Sequence, residues 1–419
     1  MNTVITPNWV SMDTAAYFRN EVRLIGQFDR QWERMWRNLP DGAKIGYTAQ
    51  VRIEQRWQVF EGQALQQQAI LNQTVPISIN HQFQVAHGWS SADEAILIEE
   101  VRQRYDKPAG KAMAGKWDTI AGREVYANVY FQIGSPGVPL NVDQTWLDGV
   151  AKLVNVAVPD EFRVVMDPKT HSKLLGANIG AFNPAQQISK YFKTGMFNEG
   201  ALGVEEWFRD ANMPTHTTGT FTLSTPLVDG ALQTGSTLVL KGFGTYALKA
   251  GDTFYITGVN AINPVTYVDS GDLQAFTLVA DGAGSGAATL TISPSIIPVG
   301  SGAAGSFSPL ATVTNSPANN ATITFVGATG AVNATMAAQT SKQSLLFNQG
   351  AFAFVMADLP VNLPGARAGR TTEAAGERNR ISMRYVDQYN IQTDQLPRRL
   401  DSIGGVATIL PYFALRAWS

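Results

Sequence analysis

The sequence predicts an α+β protein in which an all-β, barrel-like domain is inserted into a mixed parent domain. Three observations predict it. Residues 220–341 contain only two basic side chains, Lys241 and Lys249, and five aspartates, and residues 282–341 contain no Asp, Glu, Lys or Arg at all. Within that region, β-branched and aromatic runs recur at 237–240, 253–256, 276–279, 289–292 and 322–325, separated by Gly, Asn, Ser and Pro clusters. Short strands with such punctuation read as an antiparallel sandwich or barrel. The flanks instead carry helical periodicity and long alternating segments. A chain of 419 residues holds two or three domains at roughly 150 residues each.

Residues 11–38 place Ala15, Phe18, Val22, Ile25, Phe28, Trp32 and Met35 at steps of three and four, which predicts one amphipathic helix. Leu39-Pro40-Asp41-Gly42 ends it with turn chemistry. Val51, Ile53 and Gln55 share parity, as do Ile77, Ile79, His81, Phe83, Val85 and His87, with a Gln- and Ala-rich stretch between the two sets. This predicts two long strands joined by an extended polar tip. Ser91-Ala92-Asp93-Glu94 matches a capping box ahead of a helix over 95–105. Pro108 interrupts it, and a second helix is expected from Ala109 to about Phe131.

A helix over 144–156 precedes a strand over 163–166. Asp167-Pro168 then supplies an N-cap and a first-turn proline for a short helix. After the insert, 352–356 reads as a strand, and Ile381, Met383, Tyr385 and Asp387 alternate with Ser382, Arg384 and Val386. The boundaries expected are 1–44 for an N-terminal helical arm, 45–90 for a hairpin, 91–219 for the mixed domain, 220–340 for the insert and 341–419 for the return.

Composition excludes several functions. The net charge is −2, without the basic excess of a general nucleic-acid binder. With no cysteine there is no disulfide framework, thiol nucleophile or thiolate metal site. No apolar run reaches the roughly 18 residues of a membrane span, and Met1-Asn2-Thr3-Val4 lacks a signal-peptide start.

The candidate chemistry is weak. Gly110, Gly115 and Lys116 have phosphate-loop spacing, but Trp117 stands where Ser or Thr would hold magnesium, and the segment is helical. His81 and His87 share a strand face about 20 Å apart, too far for one metal; His171 and His216 have no ligand-spaced partner. Glu99-Glu100 and Glu205-Glu206 read as solvated surface rather than as acid–base pairs. Gly282-Ala283-Gly284-Ser285-Gly286 reads as a loop tip, and 299–308 as another mobile stretch. No catalytic, cofactor or metal residue is assigned.

Interface chemistry is better represented. Most of the nine tryptophans read as core anchors. Trp57, flanked by Arg52, Glu54, Arg56 and Glu61 on the expected hairpin, is the best interface candidate, because such a hairpin has little core of its own.

The C-terminal run Ile381-Ser382-Met383-Arg384-Tyr385-Val386-Asp387-Gln388-Tyr389-Asn390-Ile391 is followed by Asp394, Arg399-Leu400-Asp401-Ser402-Ile403-Gly404-Gly405, Pro411, Ala414 and Arg416. It resembles the end of tailed-phage major coat proteins of the Salmonella podovirus (P22-like) type. Asn348, Ala351-Phe352-Ala353-Phe354-Val355 and Ala357-Asp358-Leu359 resemble the strand that re-enters their main domain. The resemblance implies the Hong Kong 97 capsid fold, with N-terminal arm, extended loop, long spine helix, and peripheral and axial domains. It further implies a major capsid protein assembling with itself into pentamers and hexamers of an icosahedral shell, with scaffolding and portal partners. Such a shell encloses duplex DNA without sequence-specific binding, sits in the virion, is assembled in the host cytoplasm, and needs no cofactor or membrane. The alternatives are a cellular nanocompartment shell of the same fold, and a tail or surface protein with a carbohydrate-binding β-domain.

Overall fold

The computed structural model describes residues 7–37, 46–90 apart from 64, 66 and 69, 105–178, 202–300, 308–330, 333–371 and 381–418. The expected turn at 39–42, the capping box at 91–94, the helix over 95–104 and Glu99-Glu100 lie outside these residues. The chain forms two compact units, one of Met1–Val51, Thr74–Ala121 and Phe352–Ala407, the other of Arg52–Gln73, Gly122–Ala351 and Thr408–Ser419.

In the first unit, helix α1 (Pro7–Glu21) is followed by single 3-10 turns at Ile25–Gln27 and Gln31–Glu33 and a four-residue helix, α2 (Arg34–Arg37). The single helix expected over 11–38 is therefore broken. Two tertiary contacts win over its periodicity. The Asp118 carboxylate accepts from the backbone N–H groups of Arg23 (2.9 Å) and Ile25 (3.0 Å), satisfying donors freed by the break. Asp29 then pairs through its backbone with the strand that begins at Phe352, donating to Phe352 O at 2.9 Å and accepting from Phe354 N at 3.0 Å.

Strands β1 (Thr48–Arg52) and β2 (Thr74–Ser78) pair with each other, while β3 (His81–Ser90) joins a different sheet. The second long strand expected thus becomes two. Its parity survives: Ile77 and Ile79 are buried, and His81, Phe83, Val85 and His87 are half-buried while Gln82, Gln84, Ala86 and Gly88 face solvent. Helix α3 runs Lys107–Tyr126. Pro108 sits in its first turn, where its missing N–H costs nothing. The helix stops short of Phe131, which lies in a strand, because backbone turns at Asn128 and Val129 close on Val125 and Tyr126. Strands β17 (Phe352–Ala357), β18 (Arg367–Arg370), β19 (Arg384–Asp387) and β20 (Gln395–Thr408) complete a five-stranded sheet with β3 paired to β20. Ile381, Met383, Tyr385 and Asp387 are buried, as their alternation predicts. Trp117 on α3 fills this core edge-on to Phe83 and Phe354, and its indole N–H donates to Ser402 Oγ at 2.8 Å.

The second unit carries a six-stranded sheet. Strands β4 (Phe131–Ile133), β21 (Ala414–Trp418), β16 (Thr340–Asn348), β5 (Phe162–Met166) and β6 (Glu206–Arg209) follow in that order, with β7 (Thr215–Thr217) beside β16. Helix α4 (Asp143–Asn155) buries Trp146 against Trp207, ring centroids 5.4 Å apart. Asp167 caps α5 (Pro168–Asn178), its carboxylate accepting from Lys169 N at 3.0 Å.

All strands of the remaining sheet come from residues 220–336: β8 (Thr220–Ser224), β9 (Leu227–Val228), β10 (Gly235–Leu248), β11 (Thr253–Ile262), β12 (Asp269–Leu278), β13 (Gly282–Ile296), β14 (Ile323–Phe325) and β15 (Ala334–Met336). The order β14-β11-β12-β13-β10-β8-β15 puts β14 and β8 far apart along the sheet. Yet Phe325 of β14 lies 5.5 Å from Phe221 of β8, and it also meets Phe243 and Phe254. The sheet is therefore curled into a nearly closed barrel around an aromatic core. The stretch 282–286, expected as a loop tip, is instead the start of β13, paired with β10 from Leu248↔Gly282 to Phe243↔Gly286. Its small residues leave room for the Tyr246 ring, whose hydroxyl would lie 3.0 Å from any Cβ added at Gly284. Of the second stretch expected to be mobile, 301–307 lie outside the described residues.

Candidate functional site

The hairpin of residues 52–73 is extended but hardly a ladder. Beyond Ile53 N–H donating to Gln73 O at 3.0 Å, the two arms are tied by glutamine side chains. Gln55 Oε1 accepts from Leu71 N at 3.0 Å, and Gln68 Oε1 accepts from Gln58 N at 3.0 Å while its amide N–H returns to Gln58 O. A glutamine carries both a donor and an acceptor, so Gln55 and Gln68 can each stand in for a missing strand neighbour.

The hairpin's apolar side chains face solvent. Trp57 is 52% exposed, Val59 93%, Leu65 94% and Ile70 73%, with Phe60 and Leu71 beside them in the sequence less exposed. Arg52, Glu54 and Glu61 are exposed as well. Arg56 differs from the other four candidates. Its guanidinium stacks over the Tyr412 ring at 4.8 Å and donates to the Ala311 carbonyl at 3.3 Å. Among its described residues the hairpin thus presents a mixed apolar and charged surface.

A second polar cluster was not legible in the sequence. Asp252 is buried; its carboxylate accepts from Gly219 N and Lys249 N and pairs with His216 Nε2 at 2.9 Å, while His216 Nδ1 lies 3.3 Å from the Tyr126 hydroxyl. Arg416 is fully buried nearby, donates to the Gly251 carbonyl and lies over the Trp418 ring at 5.0 Å. Burial pushes its pKa down to about 10, which leaves it charged at neutral pH. These residues join the turn after β10 to the six-stranded sheet. The only sequence signal was the Gly251-Asp252 turn, and pairing across 36 to 165 residues cannot be read from spacing.

The other sequence candidates take structural places. Gly110 lies within α3, where an added Cβ would come within 2.8 Å of Thr14 O, so its lack of a side chain serves helix packing. The His81 ring stacks on Phe83 and the His87 ring on Tyr105. Glu206 opens β6 and pairs with Arg163 at 3.5 Å. Among the described residues no group of three His, Asp or Glu side chains is placed to hold a metal ion, and no helix is long and apolar enough to cross a membrane.

The model of the family described as "P22 coat protein - gene protein 5" matches residues 61–414. No curated protein matches the chain. Among solved structures, one from Mycobacterium phage Che8 is 9% identical, with 94% of this chain and 90% of that one covered at a TM-score of 0.46. The mature capsid of bacteriophage PhiM1 is 9% identical over 89% of this chain and 82% of that one, TM-score 0.40. The CUS-3 coat protein I-domain is 29% identical over 25% of this chain and 96% of its own, TM-score 0.20. The family match spans most of the chain and carries the assignment. The chain belongs to the P22 coat protein family and is a phage major capsid protein that forms the shell.

Proposed function

We propose that the hairpin of residues 52–73 is a contact by which one subunit holds the next, with Arg52, Glu54, Trp57 and Glu61 on the contacting surface. The observation that carries this reading is the row of exposed apolar side chains, Trp57, Val59, Leu65 and Ile70, on this segment. Exposed apolar surface of this kind is costly in water and is retained where a partner covers it. The occupant is a second copy of the chain, because a shell protein's most abundant neighbour is itself and closed shells repeat one contact many times.

On this reading the subunits form pentamers and hexamers of an icosahedral shell around duplex DNA, with scaffolding and portal proteins assisting in the host cytoplasm. The near-neutral charge supports DNA enclosure without a dedicated DNA site. The protein acts by assembly rather than by catalysis. The domain boundaries proposed with this reading are 1–44, 45–90, 91–219, 220–340 and 341–419.

Trp57→Ala and Glu54→Arg test the contact. Truncating a buried interface anchor costs about 2 kcal/mol or more, whereas an exposed charge alone contributes about 0–1 kcal/mol. We predict unchanged circular dichroism and lower shell yield for both variants, by sedimentation and negative-stain microscopy. Wild-type yield from both would remove the hairpin from the interface.

A further inference from the structure

The hairpin surface leaves open what holds its root. Arg56 is the one candidate among the five whose charged group faces its own chain, and it touches two elements far away in sequence. Its guanidinium donates to Ala311 O (3.3 Å) in the segment between β13 and β14, and it lies 4.8 Å over Tyr412, in the 3-10 turn Pro411–Phe413 before β21. The Ala311 seat is itself built. Ala311 is fully buried in a small cluster with Ile262 and Tyr267, and the Tyr267 hydroxyl reaches Pro309 O at 3.4 Å. Burial raises the hydroxyl pKa of Tyr130 and of Tyr267, and the positive charge of Arg56 opposes both shifts. The guanidinium thus sits within electrostatic reach of three tyrosines.

We propose that Arg56 is a latch: it seats the root of the hairpin on the inserted barrel's 308–313 segment and on the turn before β21, so that the insert fixes the hairpin's direction. The glutamine ties join the two arms to each other, and Arg56 adds a tie from the arms to the rest of the unit. A planar cation suits the task, because it binds a ring face and a carbonyl at once. The inference gives the insert a mechanical role in assembly, and to that extent it rests on the hairpin being a subunit contact.

Hydrogen exchange on unassembled full-length subunits tests the latch without depending on assembly. In Arg56→Ala, peptides covering 53–73 should exchange about tenfold faster, in line with loss of a cation–π contact and a hydrogen bond. In Tyr412→Leu, which leaves the bond to Ala311 O in place, they should exchange faster than wild type by a smaller factor. Peptides from β10, β13 and β16 should not change. Tyr412→Phe keeps the ring face and should match wild type, Arg56→Lys should fall between wild type and Arg56→Ala, and the double variant Arg56→Ala/Tyr412→Leu should exchange no faster than Arg56→Ala alone. Unchanged hairpin exchange in Arg56→Ala, or a uniform rise across the whole unit, would overturn the latch. If Arg56→Ala does not fold, the Tyr412 pair gives the same reading. Faster hairpin exchange together with normal shells would instead keep the latch and count against the hairpin as the contact.

Discussion

At Gly405 an added methyl group would lie 1.8 Å from the carbonyl oxygen of Ser78, and at Gly404 2.6 Å from that of Val355. Both obstacles are backbone, which cannot turn aside as a side chain can. Overpacking typically costs about 1–3 kcal/mol, and Gly405→Ala belongs at or above the top of that range. We predict a lower urea midpoint and little soluble subunit; a midpoint equal to wild type would show that β20 has slack here. A second residue-scale prediction concerns His171, buried on α5. Burial, with Arg209 adding to it, pushes its pKa down from 6.5 to about 4. Between those values the unfolded chain binds a proton that the native state refuses, so stability rises with pH across the window. The contribution is fully present above pH 6.5 and is lost as pH falls toward 4. Melting curves should show a steeper loss over that range for wild type than for His171→Gln, and coincident slopes would refute a neutral buried imidazole as the cause.

Among the elements, those with strong local signals were read well. The runs at 237–240, 253–256 and 289–292 each lie inside a strand, and Asp167-Pro168 begins α5. Two elements were misread for the same reason. The periodicity of 11–38 and the small-residue pattern of 282–286 are local, while Asp118, Tyr246 and the strand that begins at Phe352 act on them from across the fold. The insert supports an element-scale prediction. Its flanks are hydrogen-bonded to each other, Thr218 N to Gln339 O at 3.0 Å and Thr217 Oγ1 to Thr340 Oγ1 at 2.7 Å, as suits a domain inserted with adjacent ends. Residues 220–340 expressed alone should therefore give a dispersed amide spectrum and a cooperative melt. Random-coil shifts throughout would mean that the barrel depends on the six-stranded sheet for its fold.

For the whole molecule, the sequence by itself determined the class and the family. Charge depletion, strand punctuation and the C-terminal motif run are properties of composition and order, and they survive without coordinates. It also singled out Trp57 with Arg52, Glu54, Arg56 and Glu61 as interface candidates, because a hairpin alternating charge and aromatic residues lacks the apolar face from which to build a core. The tertiary structure alone decided that Arg56 turns inward onto Tyr412 and Ala311, that Arg416, Asp252 and His216 gather in one buried cluster, and that the barrel curls until Phe325 meets Phe221. Each of these joins residues separated by tens to hundreds of positions. Pairings of that range are set by how whole sheets pack and by which buried polar groups must find partners, and neither is encoded in any local window of the chain.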